Sequence, residues 1–150
     1  MILKWDLRTF DELSTLELYT ILQMRSSVFV VEQNCVFLDI DGKDSFCHHL
    51  CGWLSDGRLA AYTRIVPAGL NFEEASIGRV ITSPEVRSAG VGRELLNKSI
   101  DAVYELYGNV PIRIGAQLYL KRFYESFGFV QSGAMYFEDS IEHIEMVRES

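Results

Sequence analysis

A strand-to-helix transition in residues 80–92 carries the residue types best suited to holding a phosphate group. An apolar strand pattern gives way to a turn, and glycines stand at positions 90 and 92, where a helical period begins. Because glycine has no Cβ, backbone N–H groups there can approach a ligand closely, and the free N–H groups of a first helical turn attract anions. The segment therefore predicts a site for a phosphate-bearing ligand, formed by Arg87, Ser88, Ala89, Gly90, Val91 and Gly92.

The spacing of these glycines excludes two common phosphate-binding motifs. A Walker loop needs Gly-Lys followed by Ser or Thr, and a dinucleotide fingerprint needs a third glycine where Leu95 stands. The remaining pattern resembles the acetyl-CoA signature of the GNAT superfamily of N-acetyltransferases, which Arg87, Gly90 and Gly92 match. The resemblance implies that acetyl-CoA is the co-substrate. Its acetyl group would move to a primary amine, on a small molecule or a peptide, by direct attack in a ternary complex.

A second segment, residues 117–129, resembles the other GNAT signature, which ends in Phe-Tyr-x-x-x-Gly-Phe. In the superfamily the tyrosine that Tyr124 matches lies near the CoA sulfur, so the resemblance implies that Tyr124 protonates the leaving thiolate. Gln117 stands where the family usually has an asparagine that contacts CoA, and it offers the same amide groups. Phe123 and Phe127 have the helical spacing of core residues.

The resemblance runs from near residue 5 to the C-terminus. Residues 25–34 and 39–42 are similar to the ElaA subgroup of bacterial GNAT proteins, which implies no particular acceptor. Arg25, Phe29 and the acidic run that follows also resemble acyl-homoserine lactone synthases, which share the core and form one alternative. The other alternative is a GNAT fold that binds acetyl-CoA as a sensor or scaffold without turning it over.

The acidic run itself contains Asp39, Asp41 and Asp44. It does not follow the calcium-loop pattern of an EF-hand, because Lys43 stands at loop position 5. We expect either an acidic surface loop or a segment that lines the acceptor cleft together with Glu32 and selects a positively charged amine.

Direct attack by an amine requires a group that takes its proton, because an alkylamine with a pKa of about 10.4 is mostly protonated at pH 7. Glu32 is the first choice for this catalytic role. A backbone N–H of the strand Val80, Ile81 and Thr82 is expected to stabilise the oxyanion. We therefore expect these three residues to belong to the cofactor-binding site. The remaining candidates for the base are Glu73, Glu74, Glu138 and His143.

Strands and helices that position these residues are predicted from periodicity. Ser14 and Glu17 have the spacing of a capping box, which predicts the start of a helix. The residues of its predicted inner face follow one another at intervals of four, three and four residues. Two hairpins, one turning at Asp56-Gly57, combine with helices after Ser14, after Gly90 and before Gly128. This mixture predicts an α/β fold of the GNAT type, with a mixed central sheet flanked by helices. The inner face of the first helix comprises Leu18, Leu22, Arg25 and Phe29.

Composition fits one domain spanning residues 1–150, with 48% hydrophobic residues. A net charge of −7 argues against a nucleic-acid partner, since phosphate contact needs clustered Lys and Arg. No apolar run approaches the ~20 residues of a membrane-spanning helix, and no signal-peptide pattern is present, so we expect a cytoplasmic protein with no membrane partner.

Three cysteines, an odd number, predict free thiols. Cys47-His48-His49-Leu50-Cys51 lacks the paired Cys-x-x-Cys spacing of structural zinc, so no metal is expected. Superfamily members are often dimers, and the resemblance is compatible with a homodimer.

Overall fold

The computed structural model describes residues 1–150, which form strands and helices in the predicted order. One helix follows the first strand, a second crosses between the fourth and fifth strands, and a short third precedes the final hairpin. The elements are β1 Lys4–Thr9, α1 Thr15–Arg25, β2 His48–Trp53, β3 Leu59–Val66, β4 Ser76–Thr82, α2 Val91–Tyr107, β5 Ile112–Gln117, α3 Lys121–Glu125, β6 Val130–Glu138 and β7 Ile141–Arg148.

The strands form two antiparallel sheets, of order β1-β2-β3-β4 and β5-β7-β6. The sheets meet at one parallel bridge between Ala75 and Ile112, beside which the N–H of Arg113 donates to the carbonyl of Ala75 at 3.0 Å. The predicted α/β fold class is confirmed, and the parallel part of the predicted mixed sheet consists of this bridge. Because no pairing between β4 and β5 follows it, a gap opens between the two sheets.

Local sequence signals set most of these elements. The hydroxyl of Ser14 accepts from the N–H of Glu17 at 3.0 Å, and the Glu17 carboxylate accepts from the N–H of Ser14 at 2.8 Å. The predicted capping box is therefore confirmed. Both predicted hairpins are also present, as the antiparallel pairs β2–β3 and β6–β7.

Helix α1 continues beyond Arg25 as a wider π-helical segment, Ser26–Glu32. Its hydrogen bonds span five residues, as between the N–H of Cys35 and the carbonyl of Val30 at 3.0 Å. The buried line of the helix runs through Ile21, Arg25 and Val28. The other three residues of the predicted inner face, Leu18, Leu22 and Phe29, are only partly buried because that line is centred on Ile21.

The two long helices cover opposite faces of the first sheet. Leu95, Leu96 and Val103 of α2 are fully buried in the main core, which also includes Phe129, just before β6, and Ile144 of β7. On the other face, α1 and the π-helical segment pack in a smaller cluster with Cys51, Tyr62 and Ile81. No helix combines the length and hydrophobicity that a membrane-spanning helix needs.

The acidic run is a surface loop only in part, since Ile40 and Gly42 are exposed but the expectation of solvated carboxylates was wrong for Asp39 and Asp44. The expectation that the run lines the cleft with Glu32 was also wrong, because none of the three aspartates lines the cleft between the sheets. Asp39 and Asp44 are buried, and arginines from three different elements surround the run. The closest contacts are Arg25 Nη1–Asp44 Oδ1 at 2.7 Å, Arg79 Nε–Asp39 Oδ1 at 2.7 Å and Arg64 Nη1–Asp41 Oδ1 at 2.9 Å. We call these six residues the Arg–Asp network. Because a buried charge is costly unless it is paired, the run folds inward onto the arginines.

Candidate active site

The gap between the two sheets forms a cleft of about 400 Å³. Its side walls are β4, over residues 77–82, and the end of β5, over residues 114–117. The π-helical segment and the turn between β6 and β7 close its ends. The topology therefore brings four distant parts of the chain around one space.

A β-bulge shapes the β4 wall. Tyr62 pairs with Ile81 and Arg64 with Gly78, so Arg79 and Val80 together lie opposite a single residue of β3. Arg79 has a φ of 51°, a left-handed conformation that non-glycine residues rarely adopt. The strand has no partner on its cleft side, so its backbone groups there are available to a ligand. Sequence periodicity gave no signal of this bulge.

The helix start that the sequence singled out lies beside the cleft. Arg87 lines the cleft, and residues 88–92 continue from it to the N-terminus of α2. Gly90 has a φ of 75°, which favours glycine. A Cβ built on Gly92 would make only an ordinary contact, 3.9 Å from Phe123. Packing within the protein therefore does not require glycine at 92, whereas close approach of a ligand to the backbone would.

Arg87 is bound by Glu32, the residue predicted to be the catalytic base. Two parallel hydrogen bonds of 2.6 Å run from the guanidinium to the two carboxylate oxygens. The side chains are 40% and 42% exposed, and both line the cleft. Hydrogen bonding to Arg87 holds the pKa of Glu32 below its ordinary value. The structure thus brings the two residues together, as an ion pair.

Tyr124 lies in the cleft wall and is otherwise enclosed by aromatic rings. Phe123 and Phe129 pack edge-on against it, with ring centroids 5.3 and 6.0 Å away. It is only 5% exposed, and burial raises the pKa of its phenol. Tyr124 therefore keeps its proton at neutral pH and can act as a donor. Nearby, Gln117 also lines the cleft, and its amide donates to the side chain of Gln33 at 3.3 Å.

Residues 48–150 match the family model described as the Acetyltransferase (GNAT) domain. The chain belongs to the GNAT acetyltransferase family. The match covers β2 to the C-terminus and so includes both predicted signatures.

Within the GNAT family the chain is similar to ElaA. It is 42% identical to Escherichia coli ElaA over 149 residues, which cover 98% of this chain and 97% of ElaA. The crystal structure of Escherichia coli ElaA matches with a TM-score of 0.91 at 41% identity, over 99% of this chain and 100% of that one. The crystal structure of an acyl-CoA N-acyltransferase from Pseudomonas aeruginosa matches with a TM-score of 0.92 at 38% identity, over 97% and 99%. The predicted resemblance is confirmed.

The remaining base candidates of this GNAT protein separate into two groups. Glu138 and His143 line the cleft, whereas Glu73 and Glu74 lie outside it. Glu74 is also held by Arg113, with contacts of 3.0 and 3.1 Å. Of these four candidates, therefore, only Glu138 and His143 share the cleft with Tyr124 and Gln117.

His143 is held in a defined orientation within the cleft. Its Nδ1 lies 2.8 Å from the carbonyl oxygen of Ile141, a contact in which Nδ1–H donates. Its ring stacks on Tyr136, with centroids 5.9 Å apart. These contacts leave Nε2 to face Glu138 Oε2 at 3.5 Å. An imidazole fixed in this tautomer presents Nε2 as a proton acceptor.

The cysteine and histidine run of residues 47–51 is part of the packing of β2. Both ring nitrogens of His49 are used, by the Tyr62 hydroxyl at 2.6 Å and the Asp44 carbonyl at 2.9 Å. Cys51 is fully buried, and burial raises the pKa of the Cys47 thiol to about 11. These thiols are therefore unreactive at neutral pH.

Proposed function

We propose that this protein is an N-acetyltransferase that moves an acetyl group from acetyl-CoA to a primary amine by direct attack in a ternary complex. The observation that carries the proposal is the cleft between β4 and β5. It has the bulged, unpaired edge of a strand on one wall, Arg87 at the side where α2 begins, and a buried protonated tyrosine, Tyr124, facing inward.

The helix start fits the phosphate groups of acetyl-CoA. Arg87 supplies a positive charge, and the N–H groups of Val91, Gly92 and Arg93 belong to the free first turn of a 17-residue helix. A Cβ built on Gly90 would meet no atom within 4 Å and one on Gly92 only Phe123 at 3.9 Å, so a ligand can approach the backbone there. The unpaired edge of Val80, Ile81 and Thr82 offers hydrogen bonds to the extended arm of the cofactor, and Gln117 offers its amide on the opposite wall.

Acetyl-CoA would supply a thioester that reacts with an amine. Backbone N–H groups near the bulge of β4 are placed to stabilise negative charge on the acetyl oxygen as it develops. Tyr124 is the acid proposed to protonate the departing sulfur, because its phenol lines the cleft and a tyrosine is protonated at neutral pH.

The amine must lose a proton, and His143 is the residue best placed to accept it. Its Nδ1 is bound to the Ile141 carbonyl, so Nε2 is the nitrogen that can take the proton, and Glu138, 3.5 Å from Nε2, would stabilise the positive ring that results. Glu32, the first choice from the sequence, would have to leave Arg87 before it accepted a proton. Glu138 and Asp139 also line this end of the cleft, which favours an acceptor that carries positive charge.

The test is release of free thiol from acetyl-CoA by the purified protein against a panel of polyamines, aminoglycosides, arylamines, amino acids and peptide N-termini. Tyr124→Phe should lower kcat far more than it weakens acetyl-CoA binding, since the hydroxyl acts in the chemical step. His143→Gln should likewise lower kcat far more than it weakens acetyl-CoA binding, since the imidazole is proposed to act in the chemical step. The matched controls are Tyr107→Phe and His48→Gln, which lie outside the cleft.

Other outcomes separate the alternatives. Wild-type kcat in Tyr124→Phe would make Tyr124 a structural residue. Acetyl-CoA binding with slow hydrolysis and no dependence on an amine would favour the sensor or scaffold. Turnover that requires S-adenosylmethionine together with an acyl donor would favour the acyl-homoserine lactone synthase alternative.

A further inference from the structure

The Glu32–Arg87 ion pair has short bidentate hydrogen bonds and lies in the cleft between the sheets. Two hydrogen bonds of 2.6 Å join the groups, and each side chain is about two-fifths exposed. The Glu74–Arg113 pair is likewise bidentate, yet both of its residues lie outside the cleft. Glu32 and Arg87 therefore differ from an ordinary surface pair in lining the cleft where the cofactor is proposed to bind.

Arg87 is the first residue of the proposed phosphate site. A guanidinium offers a planar set of donors that fits a carboxylate or a phosphate in the same bidentate manner. In the structure, the carboxylate of Glu32 occupies these donors. An arriving phosphate needs the same donors, and it would place negative charge beside the carboxylate. The two anions therefore compete for Arg87.

The backbone around Glu32 allows such an exchange. Glu32 is the last residue of the π-helical segment, and its carboxylate contacts no cation other than Arg87. Arg79, the other arginine that lines the cleft, is held by Asp39 and Asp41 and offers Glu32 no alternative partner. Release of Glu32 would therefore leave a free carboxylate exposed to solvent, at little cost in desolvation.

We propose that Glu32 is an internal stand-in for the cofactor phosphate, bound to Arg87 in the free protein and displaced when acetyl-CoA binds. The inference rests on the proposed function. Glu32 holds the Arg87 guanidinium at the cleft before the cofactor arrives, and its displacement lowers the affinity for acetyl-CoA. Glu32 is thus a residue that sets cofactor affinity.

The first test is calorimetric titration of CoA and of pantetheine, which lacks the phosphates, into the wild-type protein, Glu32→Gln and Glu74→Gln. Because exposed ion pairs are weak, Glu32→Gln should lower the Kd of CoA by about two- to fivefold at low ionic strength. Its Kd for pantetheine should not change. Glu74→Gln, which removes a bidentate carboxylate outside the cleft, should change neither value.

The second test separates displacement from simple repulsion. If Glu32 competes for Arg87, Arg87→Gln should weaken CoA binding more in the Glu32→Gln background than in the wild type, by the same factor of about two to five. Additive effects would show that Glu32 only repels the phosphates and would overturn the proposal. An unchanged or higher Kd for CoA in Glu32→Gln, or equal tightening of pantetheine, would also overturn it. A wild-type protein that binds no CoA would instead contradict the proposed function.

Discussion

The Arg–Asp network and the Glu32–Arg87 pair differ in how far their charges are exposed to solvent. Four of the six residues of the Arg–Asp network are buried, and the charges are shared, since Asp44 accepts from both Arg25 and Arg64. Glu32 and Arg87 form an isolated pair that is open to solvent. Contact distances alone do not separate the two, because both include bonds of 2.6 to 2.7 Å.

The exposed pair and the network differ in what compensates a charge when its partner moves away. Water solvates either member of the exposed pair, so the pair exchanges readily for another anion. In the network, removal of one carboxylate leaves a buried guanidinium charge uncompensated, which is strongly unfavourable. The network therefore fixes the fold around the cleft, whereas the exposed pair is suited to binding.

The largest expected effect is the loss of a network carboxylate. Asp44→Asn keeps the shape of the side chain but leaves Arg25 and Arg64 with too little negative charge. We expect the free energy of unfolding to fall by about 3 to 5 kcal/mol, measured by urea denaturation. A loss well below this range would show that Asp39 and Asp41 compensate, and that the network is less strongly coupled than its geometry indicates.

Arg79 belongs to the network and also lines the cleft, so its substitution tests whether the two regions are separate. Arg79→Gln removes the charge that pairs with Asp39 at the β4 bulge. We expect a loss of stability of about 1.5 to 3 kcal/mol and a lower kcat in the thiol-release assay. Reduced stability with an unchanged kcat would show that the bulge keeps its shape through backbone pairing alone.

Acid should remove the stabilisation that the ionised Asp44 carboxyl contributes to the network. Burial opposes ionisation of Asp44, but Arg25 and Arg64 outweigh it and lower its pKa. A lowered pKa in the folded state stabilises the protein above the unfolded pKa of about 3.9, and this contribution is lost as pH falls. Stability should therefore decline below about pH 5, by up to about 1.4 kcal/mol per pH unit for this carboxyl. Urea titrations at pH 7, 5 and 3.5 measure the free energy of unfolding at each pH. Asp44→Asn should make this free energy depend less steeply on pH.

The smallest expected effect on stability is that of Glu32→Gln. The pair is exposed, and the freed guanidinium is solvated, so Tm should stay close to the wild-type value. Differential scanning calorimetry measures Tm for Glu32→Gln, which changes the exposed pair, and for Asp44→Asn, which changes the buried network. A Tm as low as that of Asp44→Asn would mean that Glu32 holds the π-helical segment in place and is not free to exchange.

Most of the fold followed from patterns that act over a few residues. The capping box at Ser14, the turn at Asp56-Gly57 and the glycine after α3 are local signals, and the structure bears them out. The acidic run misled the prediction because its charge indicated solvent. Its arginine partners come from α1, β3 and β4, up to 40 residues away along the chain. Nothing in the local pattern of residues 39–44 specifies them.

The sequence by itself determined the order of the elements, the helix start at Gly90 and the family, because backbone conformation and glycine spacing are local properties. Tertiary structure decided which polar groups share the cleft. Glu32 meets Arg87 across 55 residues, and His143 joins the wall from the final hairpin. At the β4 bulge, Arg79 likewise contacts Asp39, and this contact forms only when the sheet and the loop pack together. Ion pairs and strained backbone of this kind depend on the whole fold, since their partners are brought together by packing and not by spacing along the chain.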